Sequence, residues 1–133
     1  HHHGLWAVIS KKENAFLGDC GITLQEIEGR TLPELGYHIR REYWGNGYAT
    51  EAARACIEHG FEALRLRSLY CYTSSTNRSS IRVAEKCGMV YVKNFRKTVM
   101  GASVDEVLFC VHSTGSSPNA IAKEATVDGD RGY

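Results

Sequence analysis

Several features that would fix the class of a chain at once are absent here. Neither sign of charge is in excess: 16 basic residues stand against 15 acidic ones in 133, a formal net charge of +1. So balanced a chain offers no electrostatic footprint for nucleic acid and no polybasic surface for an anionic membrane. No apolar run approaches the roughly 20 residues that a bilayer-spanning helix needs. No charged segment leading into a long apolar stretch opens the chain, so no leader is read there and a cytoplasmic protein is expected. The five cysteines (Cys20, Cys56, Cys71, Cys87 and Cys110) are odd in number and widely spaced, with no CxxC pair or Cys/His cluster among them. Bound metal is therefore not expected, and reduced core thiols are. There is no internal repeat. His1–Gly4 reads as the remnant of a purification tag rather than a metal-binding tract.

What is present is ordinary for one globular domain: 43% hydrophobic and 23% charged residues, in a length that can bury a usable core. Leu5–Ile9 reads as a buried strand, Lys11–Asn14 as a polar turn and Phe16–Thr23 as a strand returning in a hairpin. Gln25–Pro33, polar and interrupted by Gly29, reads as a loop. Glu34–Ile39 is strand-like, and its Gly36 marks a bulge or a close approach of backbone. Ala49, Ala52, Ala53, Cys56, Ile57, Gly60, Phe61 and Leu64 recur at i, i+3, i+4 spacing, with charges on the opposite face, which predicts an amphipathic helix. Ser68–Thr73 follows as a strand, then Ile81–Cys87 as a short helix closed by Gly88. Tyr91–Phe95 and Val104–Val111 make two last strands. From Ser113 the chain is Ser-, Gly- and Asp-rich and reads as a poorly ordered tail. The order β-β-β-α-β-α-β-β argues for an α/β or α+β sheet covered by helices.

The chemistry concentrates in Arg41–Thr50, R-E-Y-W-G-N-G-Y-A-T, between a strand and the start of the best helix. Two glycines let the backbone turn sharply, and the helix begins at once. Its unpaired first-turn amides and positive dipole end then face one space, an anion site made of backbone. G-x-G alone also serves ordinary tight turns; it is the strand-loop-helix setting that favours phosphate. No Lys-Ser/Thr follows the last glycine, which excludes a Walker A loop, and the third small residue and distal acid of a dinucleotide fingerprint are missing.

W-G-N-G-Y-A-T-E-A resembles the acetyl-CoA pyrophosphate loop of the GNAT (Gcn5-related N-acetyltransferase) superfamily, Gln/Arg-x-x-Gly-x-Gly/Ala, with Gly47 and Ala49 in the small positions. Trp44 stands where Gln or Arg is usual, as in the branch that acetylates ribosomal-protein N termini and related amines. T-N-R-S-S-I-R-V-A-E-K-C-G-M is similar to that branch's second motif, with Met89 replacing Phe, and E-L-G-Y-H-I resembles its central strand. The similarity covers Leu5–Val111. It implies a GNAT domain over 5–112: a mixed, mostly antiparallel sheet splayed at its centre, with helices on both faces.

The resemblance also implies roles. Backbone amides of Gly45, Asn46, Gly47, Tyr48, Ala49 and Thr50 would cradle the pyrophosphate of acetyl-CoA. Backbone of Tyr37 to Arg41, including Ile39 and Arg40, would run beside the pantetheine. Asn77 and Ser80 would face the thioester. Glu34 is the first candidate base, acting through a water, and His38 the second. A backbone N–H at His38 or Ile39 would hold the oxyanion. Relatives that protonate the thiolate use a Tyr where this chain has Ala84; Ser80 is the substitute, or the thiolate leaves unassisted. Arg82 is within reach of a phosphate but is read first as an ion-pair partner of Glu51. Arg40, Arg41, Lys93, Arg96 and Lys97 are candidates for the CoA 3′-phosphate, though dispersed surface charge is the preferred reading. The acceptor is expected to be an amine, either a protein N terminus or a small molecule. Strand edges near Val104–Val111 leave room for a homodimer. The family's usual opening strand and two helices would precede Leu5, and only four residues stand there. A CoA-binding module without turnover is the alternative of another class.

Overall fold

The structure, a computed structural model, describes residues 4–113. His1–His3 and residues 114–133, and with them most of the tag and tail expectations, lie outside the described residues. Gly4 belongs to the sheet, where it pairs with Ile22. The elements are β1 (Gly4–Ser10), β2 (Ala15–Ile27), β3 (Arg30–Ile39), a short 3-10 turn (Arg41–Tyr43), α1 (Tyr48–Glu62), β4 (Ser68–Ser74), α2 (Arg78–Lys86), β5 (Val90–Val99) and β6 (Ala102–His112). Their order is the one the sequence predicts.

The six strands lie in the order β1-β2-β3-β4-β6-β5. All neighbouring pairs are antiparallel except β3 and β4, which run parallel and touch in register at Glu34 and Tyr70 alone. Past that pair the two strands part. The sheet is thus mixed, mostly antiparallel and splayed at its centre, as expected.

Both helices pack on one face. Ala53, Cys56 and Gly60 of α1 and Ala84 of α2 join Cys20, Ile22, Leu35, Leu69, Cys71 and Phe109 of the sheet in a single core. Ile22, Leu35 and Leu69 are fully buried, each worth about 1.5–3 kcal/mol of burial. Gly60 lets α1 lie close to β2, because a Cβ there would stand 2.9 Å from Ile22 Cδ1. Cys20 and Cys56 meet in this layer with sulfurs 3.4 Å apart; all five cysteines are free. Asn77 caps α2, its Oδ1 accepting from Ser80 N at 3.1 Å, and Gly88 closes it with a positive φ of 82°.

Several expectations need correction. The fold class holds, but among the described residues no helix covers the second face. That face carries a cluster of strand side chains alone: Ile27, Leu32, Phe95 and Leu108, flanked by Tyr70 and Tyr72. Gln25–Pro33 is no loop: β2 and β3 run through it and turn at Glu28 and Gly29, both at positive φ. Within it only Ile27 and Leu32 are buried on the uncovered face, flanked by exposed polar residues, which leaves too few apolar positions to signal a strand. Strand β1 is mostly exposed rather than buried, because it is an edge strand. Gly36 makes no bulge; register shifts occur at Val8/Ile9 and Tyr91/Lys93 instead. Val104–Val111 is no edge either, since β6 lies between β4 and β5.

Candidate functional site

Two cavities open where β3 and β4 part. One, of about 560 Å³, lies on the helix side between the 45–50 loop and α2. The other, of about 360 Å³, opens beside Thr23, Gln25, Glu34 and Tyr72. They share Tyr37, His38, Asn77 and Ser80, so they meet at the splay.

The helix-side wall is built from backbone. Gly45 and Gly47 take φ of 83° and 80°, the left-handed region that non-glycine residues avoid, and a Cβ at either would meet nothing within 4 Å. Gly47 is the N-cap of α1 and supplies no side chain, so the first-turn amides remain available to a ligand. Two side chains brace the loop from behind. Asn46 Nδ2 donates to the Tyr43 carbonyl at 3.0 Å, and Trp44 Nε1 donates to the Ile39 carbonyl at 2.6 Å. Trp44 thus ties the loop to the end of β3, and the Arg41 guanidinium sits 5.4 Å from its ring centre.

Of the expected cofactor residues, Ile39, Gly45, Gly47, Tyr48, Ala49, Thr50, Asn77 and Ser80 border this cavity. Arg40, Arg41 and Asn46 do not: Arg40 pairs with Glu42 at 3.0 Å, Arg41 lies on Trp44, and Asn46 faces the loop. Sequence reasoning missed Arg78 and Lys86, which stand with Arg82 on the opposite wall. Their i, i+4, i+8 spacing was the available signal, since it puts all three on one helix face. Arg82, expected to turn toward Glu51, belongs to this wall.

The other cavity is built from side chains. Glu34 is 8% exposed, and its Oε2 accepts from the Tyr72 amide at 3.3 Å. Burial pushes its carboxyl up to about 8, against the Tyr72 N–H and the Lys97 charge, with Glu106 adding to the rise. His38, the other candidate base, has a side chain 73% exposed, with Nδ1 2.8 Å from Asp19 Oδ1. Gly36 lies between the two: a Cβ there would sit 3.7 Å from Glu34 Oε1 and 3.9 Å from His38 Cε1. The lack of a side chain keeps this floor open.

At the junction, the Tyr37 hydroxyl donates to the Ser80 carbonyl at 2.7 Å. It lies 3.4 Å from Ser80 Oγ and 3.6 Å from Cys71 Sγ, both of which donate to it. Burial holds the Tyr37 phenol well above its usual range and pushes the Cys71 thiol up to about 12, so both stay protonated at neutral pH. The hydroxyl of Ser80 is turned toward Tyr37, and Ala84 is fully buried. Arg40 N donates to the Leu17 carbonyl on β2 at 2.7 Å. Peptide groups alternate along a strand, so the Ile39 N–H points to the open edge while that of His38 points to β2. Among the described residues no group of three or more His, Cys, Asp or Glu could hold a metal, and no helix is long and apolar enough to cross a membrane.

Comparison with known proteins adds to this geometry. Residues 1–90 match the Acetyltransferase (GNAT) domain family. The chain is 48% identical over 93 residues to the uncharacterized protein YkkB of Bacillus subtilis, covering 70% of this chain and 54% of that one. It is 36% identical over 62 residues to the FsC-acetyl coenzyme A-N(2)-transacetylase of Aspergillus fumigatus, covering 47% of this chain and 26% of that one. A GNAT-family acetyltransferase of known structure from Bacillus anthracis superposes with a TM-score of 0.71 at 27% identity, over 81% of this chain and 65% of its own. The chain therefore spans about half the length, or less, of these curated relatives. A glycine loop on a helix N-terminus beside a splayed sheet agrees with the family match over two thirds of the chain, and the chain belongs to the GNAT acetyltransferase family.

Proposed function

We propose that the protein carrying this chain transfers the acetyl group of acetyl-CoA to a primary amine by direct attack through a tetrahedral intermediate. The observation that carries this reading is the meeting of the two cavities at Tyr37, His38, Asn77 and Ser80. A donor held by backbone on one side and an acceptor held on the other would present their reacting atoms to each other in that gap.

The amides of Gly45 to Thr50 take the pyrophosphate at the positive end of α1. Open-edge backbone at the end of β3, at Tyr37 and Ile39, runs beside the pantetheine as an added strand would. The amine must shed a proton, since an alkylammonium titrates near 10. Glu34 takes it through a water; its elevated basicity suits the task better than an ordinary carboxylate would. The Ile39 N–H holds the developing oxyanion. The thiolate leaves with help from the Ser80 hydroxyl, which first gives up its bond to Tyr37, or unassisted. The acceptor is a protein N terminus or a small amine, and the free thiols agree with a reducing cytoplasm. The edge strands β1 and β5 are where a second copy would pair.

A second reading, CoA binding without turnover, is favoured by Ala84 and by the engagement of Ser80 with Tyr37. Calorimetric titration of acetyl-CoA tests the site, repeated with Gly47→Trp. Micromolar binding lost in the variant supports the cradle; equal binding by both proteins rejects it. Thiol release with an amine then separates transfer from storage.

A further inference from the structure

Lys97 projects from β5 onto the uncovered face and belongs to none of the motifs. Its ammonium bonds the Tyr72 hydroxyl and lies 4.3 Å from the centre of the Tyr72 ring. Tyr72 is in turn the residue whose amide bonds Glu34, and its ring stands edge-on to Phe95 at 5.7 Å. Lys97 is half-buried, so its charge acts through protein as well as water. Across the same face, Glu106 of β6 is a second buried carboxyl.

We propose that Lys97 is a positioning residue for Glu34: fixed on Tyr72, it lends positive charge to the face that buries Glu34 and Glu106 and so keeps Glu34 able to accept a proton near neutral pH. This rests on the reading of Glu34 as the proton acceptor. The groups facing Glu34 are readily named. On β2 its partner is Thr23, with Gln25 beyond, both uncharged. On its own strand His38 turns to Asp19. On β4 stand Tyr70, Cys71 and Tyr72; on β6 stands Glu106, and on β5 Lys97. Asn77 and Ser80 of α2 add no charge. Glu106 and Lys97 therefore pull in opposite directions. A cation favours the ionised carboxyl, so Lys97 opposes the burial that raises both Glu34 and Glu106. The ring and hydroxyl of Tyr72 hold the ammonium in place, which a freely moving surface lysine would not achieve.

The test follows the Glu34 side-chain carboxyl by carbon-detected NMR across pH in the wild type, Lys97→Met and Lys97→Arg. It needs neither cofactor nor turnover. The Met variant is expected to raise the Glu34 midpoint by about half a unit to one unit, and the Arg variant to restore it. In the full-length protein, the rate at pH 7 should fall about three- to tenfold in the Met variant, recovering as pH rises. An unmoved Glu34 midpoint in Lys97→Met, or the same rise in Lys97→Arg, overturns the proposal. A moved midpoint with an unmoved rate profile upholds the coupling and removes Glu34 from the role of base. Tyr72→Phe, which takes away the hydroxyl anchor, should shift the midpoint the same way by less, and it serves if the Met variant does not fold.

Discussion

The two cavities that meet at the splay are made by opposite means. The helix-side cavity takes its chemistry from consecutive backbone groups of one short loop and a helix end, with α2 as its far wall. The other takes one side chain from each of several strands: Gln25, Glu34, Tyr72 and, behind them, Glu106 and Lys97. A backbone cradle tolerates most side-chain changes, because what binds is the peptide group. A side-chain site hangs on single residues and on the charges around them. One half of the site should therefore fail only where the backbone path is broken, and the other wherever a charge is moved.

The largest expected contrast is Glu34→Gln. It should lower acetyl transfer by about 10²–10⁴-fold while leaving acetyl-CoA affinity unchanged, read by steady-state kinetics beside calorimetry. The mirror experiment is Gly47→Trp, expected to weaken acetyl-CoA binding about a hundredfold by forcing a bulky residue into left-handed backbone at the cradle. If each variant damaged both binding and transfer equally, the two cavities would not be separable.

Next comes pH. Glu34 titrates at about 8 in the folded chain against 4.5 for a free carboxyl, so the fold holds that proton more tightly than the unfolded chain does. Its contribution to stability is complete below about 4.5 and is lost as pH rises through about 8. Urea midpoints of wild type and Glu34→Gln should therefore diverge over that window, with the variant the more resistant above it. Transfer should rise toward the same upper limit, as the base ionises, and Glu34→Gln should remove that rise. The smallest effect sits at the junction. Asn77→Ala removes the cap of α2 and should cost about 1 kcal/mol of stability, seen as a lower melting temperature.

The same contrast explains what could be read from the sequence. The element order, α1, the glycine loop and the stop of α2 were legible because each is written in neighbouring residues. The β2–β3 hairpin was not: Gln25 faces a cavity rather than a core and Glu26 and Thr31 are exposed, so the stretch looks like a polar loop. Pro33 fits within β3 because by strand alternation its missing N–H falls on the side where β4 contributes one register pair. The exposure of β1 and the interior place of β6 depend on strand order, which no local pattern records. Glu34 was within reach because it lies beside a motif. Its companions Tyr72, Glu106 and Lys97 were not, since only the sheet register brings them together.

The tie between Trp44 and the end of β3 also gives the chain a built-in optical probe. The sequence holds two tryptophans. Trp44 is 55% exposed on the rim of the helix-side cavity, whereas Trp6 sits on the edge strand with its ring edge-on to His59 at 5.2 Å. Emission from Trp44 should respond when the cradle fills, while Trp6 reports on the β1 hairpin. With Trp6→Phe, a fluorescence titration would follow occupancy of the loop alone, without a label.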